Sequence, residues 1–184
     1  MTCIKQIRTG YIFKNPTPHV RSLHAYFPSA VTMDNGEMLA TVVLASAFES
    51  TDMHTRVCRS RDGGDTWHVE GTLDVGVKGR LTSNCARLTA FPRGELAVFM
   101  IRHDRTDHPN EGFTNPQNLG FVPTELLLVR SPNYGKTWSK AIVFAPPLVG
   151  PAFEMCSPIT PLRNGCWLLP TQTWPGWNGS CPNG

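Results

Sequence analysis

Three groups of side chains in this sequence have the types and spacing to do chemistry. Glu49 and Asp52 stand in the polar stretch Glu49-Ser50-Thr51-Asp52. A carboxyl in such a loop becomes a proton donor near neutral pH if partial burial raises its pKa, and is otherwise an ordinary solvated anion. Arg102-His103-Asp104-Arg105-Thr106-Asp107-His108 opens a polar excursion that runs to about Pro123. His and Asp at this spacing can hold a divalent metal, but mixed charge of this kind is expected to be a solvated loop. Its length marks it as the wall of a pocket, since long structureless loops are uncommon without a use. Trp174-Pro175-Gly176-Trp177 offers two large indole faces. Such faces pack on the C–H faces of sugars, or equally well inside a core.

These groups need a scaffold, and one stretch indicates which. Ser60-Arg61-Asp62-Gly63-Gly64-Asp65-Thr66-Trp67 combines an aspartate that accepts backbone N–H groups two or three residues on with two glycines free to adopt positive φ. Thr66 and Trp67 then begin a new strand, with the indole folded back over the turn. A second copy, Ser131-Pro132-Asn133-Tyr134-Gly135-Lys136-Thr137-Trp138, places asparagine where the first has aspartate. Two copies indicate a repeated β unit. Aligning Gly36, Gly94 and Gly165 superposes three apolar strand–turn–strand units without using those turns at all. The expected strands are Phe27–Met33, Glu37–Ser46, His54–Ser60 and Thr66–Glu70, then Cys85–Phe91, Glu95–Ile101 and Thr124–Arg130, then Met155–Leu162 and Cys166–Pro170. Tyr11-Ile12-Phe13 is a further short strand candidate in an irregular, Pro-broken lead-in.

Composition agrees with an all-β protein. The chain has 184 residues, only 17% of them charged, with 16 Pro and 16 Gly to supply turns between short strands. A net charge of +3 without a Lys/Arg block argues against nucleic acid or an anionic membrane as partner. No apolar run approaches the length of a membrane span, and Met1-Thr2-Cys3-Ile4-Lys5-Gln6 lacks the apolar core of a leader. The expectation is therefore a soluble, cytoplasmic protein. Of the cysteines Cys3, Cys58, Cys85, Cys156, Cys166 and Cys181, none forms a Cys-x-x-Cys pair. Cys58, Cys85 and Cys166 read as small buried hydrophobes. No metal or cofactor is expected, and nothing in the sequence sets the oligomeric state.

The repeated turn resembles the Asp-box of the sialidase (neuraminidase) superfamily. The first copy fits every fixed position, and the second fits all but the aspartate. The resemblance implies an all-β fold, a partial six-bladed β-propeller with about two and a half blades present. Residues 1–22 would be a lead-in, 23–75 blade one, 84–145 blade two and 154–184 the start of blade three. An intact small protein that closes by self-association is the competing arrangement. In that family the box lies away from the active site, which is at the propeller axis. Three stretches of this chain should meet there: His24 to Phe27; Glu49 to Asp52 with the Arg102–Pro123 excursion; and Glu154 with the Trp174–Trp177 loop.

The family opens its first inner strand with Phe/Tyr-Arg-Ile-Pro, the proline eight residues before the hairpin glycine. Pro28 and Gly36 keep that register, but the residue in the arginine position is Tyr26. An arginine would grip a substrate carboxylate through two charge-assisted bonds, whereas a tyrosine offers one neutral donor and a ring. The change points to a sugar other than sialic acid. By the same resemblance Asp52, or Glu49 close by, would be the acid/base, and Glu154 the partner of a tyrosine nucleophile. That tyrosine and two further arginines would come from later blades. His24, Tyr26, Arg102, Asp104, Trp174 and Trp177 are the expected substrate-binding residues. The functional expectation is a sialidase-like glycoside hydrolase taking a terminal sugar of a glycan. A non-catalytic propeller binding carbohydrate or protein is the alternative, and a propeller lyase a third option.

Overall fold

A computed structural model describes residues 9–155 and 157–181. Cys3 and Cys156, and the opening stretch read for a leader, lie outside them. The first sheet runs β1 (His24–Thr32), β2 (Met38–Ala45), β3 (His54–Ser60) and β4 (His68–Thr72), each strand antiparallel to the one before. The second repeats that order with β5 (Thr82–Ala90), β6 (Leu96–Asp104), β7 (Thr124–Ser131) and β8 (Ile142–Phe144). A third unit is one hairpin in two pieces. Here β9 (Ala152–Met155) pairs with β12 (Thr171–Trp174), and β10 (Thr160–Pro161) with β11 (Trp167–Leu168).

The middle strands explain the stacking. Successive side chains on a strand face opposite ways, so an apolar run needs cover on both faces. In β2, Leu39 faces the second sheet while Ala40, Val42 and Leu44 face away from it. In β6, Val98 and Met100 cluster with Leu39 and Val57 of the first sheet and with Leu73 and Val75 of the connection after β4, while Phe99 and Ile101 cluster with Met155 and Ile159 of the third unit. Each such side chain, once buried, contributes roughly 1.5–3 kcal/mol. The result is an all-β partial propeller: two whole four-stranded blades, stacked face to face, and the opening hairpin of a third.

Several expected boundaries move. β6 continues through Arg102, His103 and Asp104, residues expected in a loop, because each finds a partner across the sheet or between the sheets. β4 begins at His68, two residues later than expected. Cys166 is exposed and lies in the hairpin turn before β11, not in a buried strand, whereas Cys58 is buried as expected. Burial pushes the Cys58 thiol up to about 11 and the Cys85 thiol up to about 12, so neither is a nucleophile at neutral pH. Tyr11-Ile12-Phe13 forms no strand. Instead Ile12, Phe13 and Leu23 lie against Ala40, Val42, Leu44 and Cys58, on the face of the first sheet turned away from the second.

Both repeated turns close as hairpins, though not quite with the expected bonds. Asp62 accepts from the Thr66 N–H four residues on and from the Ser60 hydroxyl two residues back. The Trp67 indole N–H donates to Gly64 O at 3.1 Å, which folds the ring over the turn. Gly63 and Gly64 both adopt positive φ.

Candidate functional site

The three stretches do meet, and what they build is a cluster of rings. β1 carries a bulge between Tyr26 and Ser29, with Phe27 held at φ 49°. In a regular strand Tyr26 and Phe27 would point to opposite faces; the bulge turns both rings into one cluster. Phe48, on the loop after β2, lies 5.5 Å from Tyr26, 5.9 Å from Phe27 and 6.0 Å from Phe113. Phe113 and Phe121 come from the excursion between β6 and β7 and meet edge to face at 5.6 Å. Phe121 in turn lies 4.8 Å from Trp174 of the third unit. Phe113 and Phe121 are buried, whereas Phe48 is 55% exposed at the top of the cluster. Phe48 and Phe113 went unremarked in the sequence. The one available signal for Phe48 was its place next to Glu49 in a loop already marked as functional.

The carboxylates around this cluster are engaged. Glu49, at φ 64°, accepts from both the backbone N–H and the hydroxyl of Thr114, while its own carbonyl accepts from Arg105. It ties the blade-two excursion to blade one. Asp52 caps its own loop, accepting from the Ser46 N–H at 3.1 Å, the Ser46 hydroxyl at 3.1 Å and the Ser50 hydroxyl. Burial pushes its pKa up, but these bonds outweigh burial and hold the carboxyl below the usual range. Asp52 is therefore an anion at neutral pH in this arrangement, without the raised pKa that an acid requires. Glu154 pairs across the hairpin with Gln172, whose side-chain amide lies 3.1 Å from it.

Arg102 and Asp104 are not in the ring cluster. Arg102 is buried on the side of β6 facing the first sheet, donating to Glu125 at 2.8 Å and to Val75 O at 2.6 Å. Asp104 pairs with Arg80 at 2.9 Å, and Arg80 also reaches Glu125 at 3.0 Å. These four form an ion cluster that ties the connection between β4 and β5 to the second sheet, and it places Arg102 and Asp104 in a strand rather than in the expected loop. The solvated-loop expectation fails at its core too. His103 is buried and stacked on Phe113 at 4.6 Å, and burial drives its pKa down to about 3, leaving it neutral. Arg105 is fully buried, donating to Glu111 O and Glu49 O. Among the described residues no group of three His, Cys, Asp or Glu could hold a metal ion.

The two tryptophans act first as anchors. The Trp174 indole N–H donates to Leu119 O at 2.7 Å, and Trp177 lies 3.9 Å from the ring of His108. Asn115 and Asn118 both donate to Trp177 O, so the blade-two excursion and the blade-three loop are laced together. His24 is exposed at the start of β1, 6.1 Å from Tyr26 and bonded to Ser22 at 2.9 Å. The face thus presents an aromatic rim with ionised or spoken-for carboxylates beneath it. It suits packing against a ring-shaped ligand better than proton transfer.

Comparisons with known proteins add little to this geometry. No family model and no curated protein matches the chain. Among solved structures it is similar to an alpha-L-arabinanase of Penicillium chrysogenum complexed with arabinobiose, at 21% identity and a TM-score of 0.43. The match covers 72% of this chain and 38% of that one.

Proposed function

We propose that the chain is part of a sialidase-superfamily propeller whose axial rim binds a terminal sugar of a glycan. The observation that carries this reading is the meeting of Tyr26, Phe48, Phe113 and Trp174, drawn from three blades, around one partly exposed face. Tyr26 in the position of the family arginine favours a neutral sugar over a carboxylated one. Sugar C–H faces pack on such rings, and an aromatic contact contributes about 0.5–1.5 kcal/mol beyond the area it buries. Titration with neutral methyl glycosides, followed by NMR, tests the reading. Phe48→Ala should weaken binding by up to about tenfold without loss of fold. Unchanged affinity in that variant refutes the rim as the site.

Hydrolysis is the second reading, favoured by one observation: Asp52 is held as an anion beside the rim. In that reading it works as a base or as an electrostatic support, with the proton donor supplied by other residues. On a panel of aryl glycosides, Asp52→Asn should lower turnover about 10²-fold or more. Full turnover in that variant removes Asp52 from the chemistry.

A further inference from the structure

A second recess lies away from the rim, beside the Ser131–Trp138 turn. Its volume is about 500 Å3, and both complete blades line it: Glu37, Arg59, Arg61 and Glu70 from the first, Lys136 and Trp138 from the second. Arg59 is fully buried, and its guanidinium is spent on Glu70 at 2.6 Å, Glu37 at 2.8 Å and Tyr134 O at 2.7 Å. It fixes the two carboxylates and is not itself free to bind. The groups left over differ in kind.

Arg61 is 64% exposed and only loosely paired, at 3.1 Å from Glu37 and 3.5 Å from Glu70. Such exposed pairs hold weakly. Lys136 has no carboxylate in ion-pair reach among the described residues. The Trp138 indole N–H likewise has no hydrogen-bond partner among them, whereas its counterpart on Trp67 is taken by Gly64 O. On Glu70 both arginines use Oε1, which leaves Oε2 as an open acceptor. The recess therefore combines an indole, two exposed cations and, among the described residues, an unpartnered N–H donor and an unpartnered carboxylate oxygen.

We infer that this inter-blade recess is a binding site for an acidic saccharide, separate from the axial rim. The indole takes the C–H face of the ring. Lys136 and Arg61 take its carboxylate, and Glu70 accepts from a ring hydroxyl. The two fixed carboxylates disfavour a polyanionic peptide, because it would bring like charges against Glu37 and Glu70 with no hydroxyl to donate. A neutral sugar leaves Lys136 unmatched.

The test is titration of the full chain with methyl glucuronide, following the Trp138 indole N–H resonance. Methyl glucoside, inorganic sulfate and a hexaglutamate peptide are run in parallel. The inference expects glucuronide to shift that resonance and to bind at least about tenfold more tightly than glucoside, the margin of one charged hydrogen bond. The double variant Arg61→Ala, Lys136→Ala should lose the preference, while Phe48→Ala on the rim should keep it. Both cations are on the surface, so the double variant is expected to fold; its dispersed NMR spectrum checks this. Equal binding of glucoside, equal competition by sulfate or hexaglutamate, or no shift at the Trp138 N–H each overturns the inference. Because the readout is at Trp138, failure of the rim reading leaves this result standing, and the reverse holds too.

Discussion

The two repeated turns share a plan and differ in what holds them. In both, a serine hydroxyl accepts the glycine N–H four residues on, at 2.8 Å in the first and 2.9 Å in the second. In both, a side-chain oxygen accepts a threonine N–H at 2.9 Å. Asp62 adds a charged bond from the Thr66 hydroxyl at 2.5 Å, and these bonds hold its carboxyl far below the usual range. Asn133 reverses that last bond, its amide donating to the Thr137 hydroxyl at 2.9 Å. What the second turn lacks in charge it gains in packing. Its Tyr134 carbonyl accepts from the buried Arg59, and Gly135 lies under Leu39 of the neighbouring sheet. A charged cap closes the first turn, while a neutral cap suffices in the second, where the neighbouring blade leans on the turn.

The largest effect expected from that contrast is at the glycines. A Cβ at Gly135 would stand 2.9 Å from Leu39 Cδ2 and 3.3 Å from the Trp138 ring, at φ 78°. Gly135→Ala should cost about 2–4 kcal/mol, combining backbone strain with overpacking. At Gly64 the nearest atom is the flexible Met38 Sδ at 3.4 Å, so Gly64→Ala should cost only about 1 kcal/mol of strain. Urea denaturation measures both, and equal costs would break the contrast. The serines come next. Ser60 and Ser131 are both buried, and Ser→Ala at either position orphans a glycine N–H. Each should cost about 1–2 kcal/mol, and a much smaller loss at Ser131 would show that packing alone closes the second turn.

The smallest effect is expected from exchanging the caps, because aspartate and asparagine both accept the threonine N–H at 2.9 Å. The folded pKa of Asp62 lies below its unfolded value of 3.8, so its contribution is complete above about pH 4 and is lost as pH falls further. Asp62→Asn should flatten that part of the acid-denaturation profile, and Asn133→Asp should steepen it. Thermal midpoints between pH 2 and 7 check both, and an unchanged acid profile in Asp62→Asn would sink the charged-cap argument.

The local parts of this fold were legible and the distant ones were not. Strand His54–Ser60, both repeated turns and the three glycine-aligned hairpins follow from neighbours in sequence. Arg102 and Asp104 were misplaced because polarity looks the same in a loop and in a strand whose charges are matched from elsewhere. Their partners Glu125 and Arg80 sit more than twenty residues away on other elements. Phe27 raised the same difficulty in another form, since only a bulge lets neighbouring rings on one strand share a face. At the rim, residue types marked Asp52 and Glu49, but only the Ser46, Ser50 and Thr114 contacts reveal that both carboxylates are already occupied.

The lead-in that carries Ile12 and Phe13 makes no backbone hydrogen bond to the sheet it covers, among the described residues. The described part of the lead-in is held to that sheet by the apolar contacts of Ile12, Phe13 and Leu23 and by the Ser22 hydroxyl donating to Ser46 O at 2.6 Å, not by a ladder. Opening there is a local event that costs far less than global unfolding. Protease nicking between Pro16 and Leu23 should outpace amide exchange in β2, and the apolar surface so bared would be the first part of the molecule to adhere to whatever is nearby.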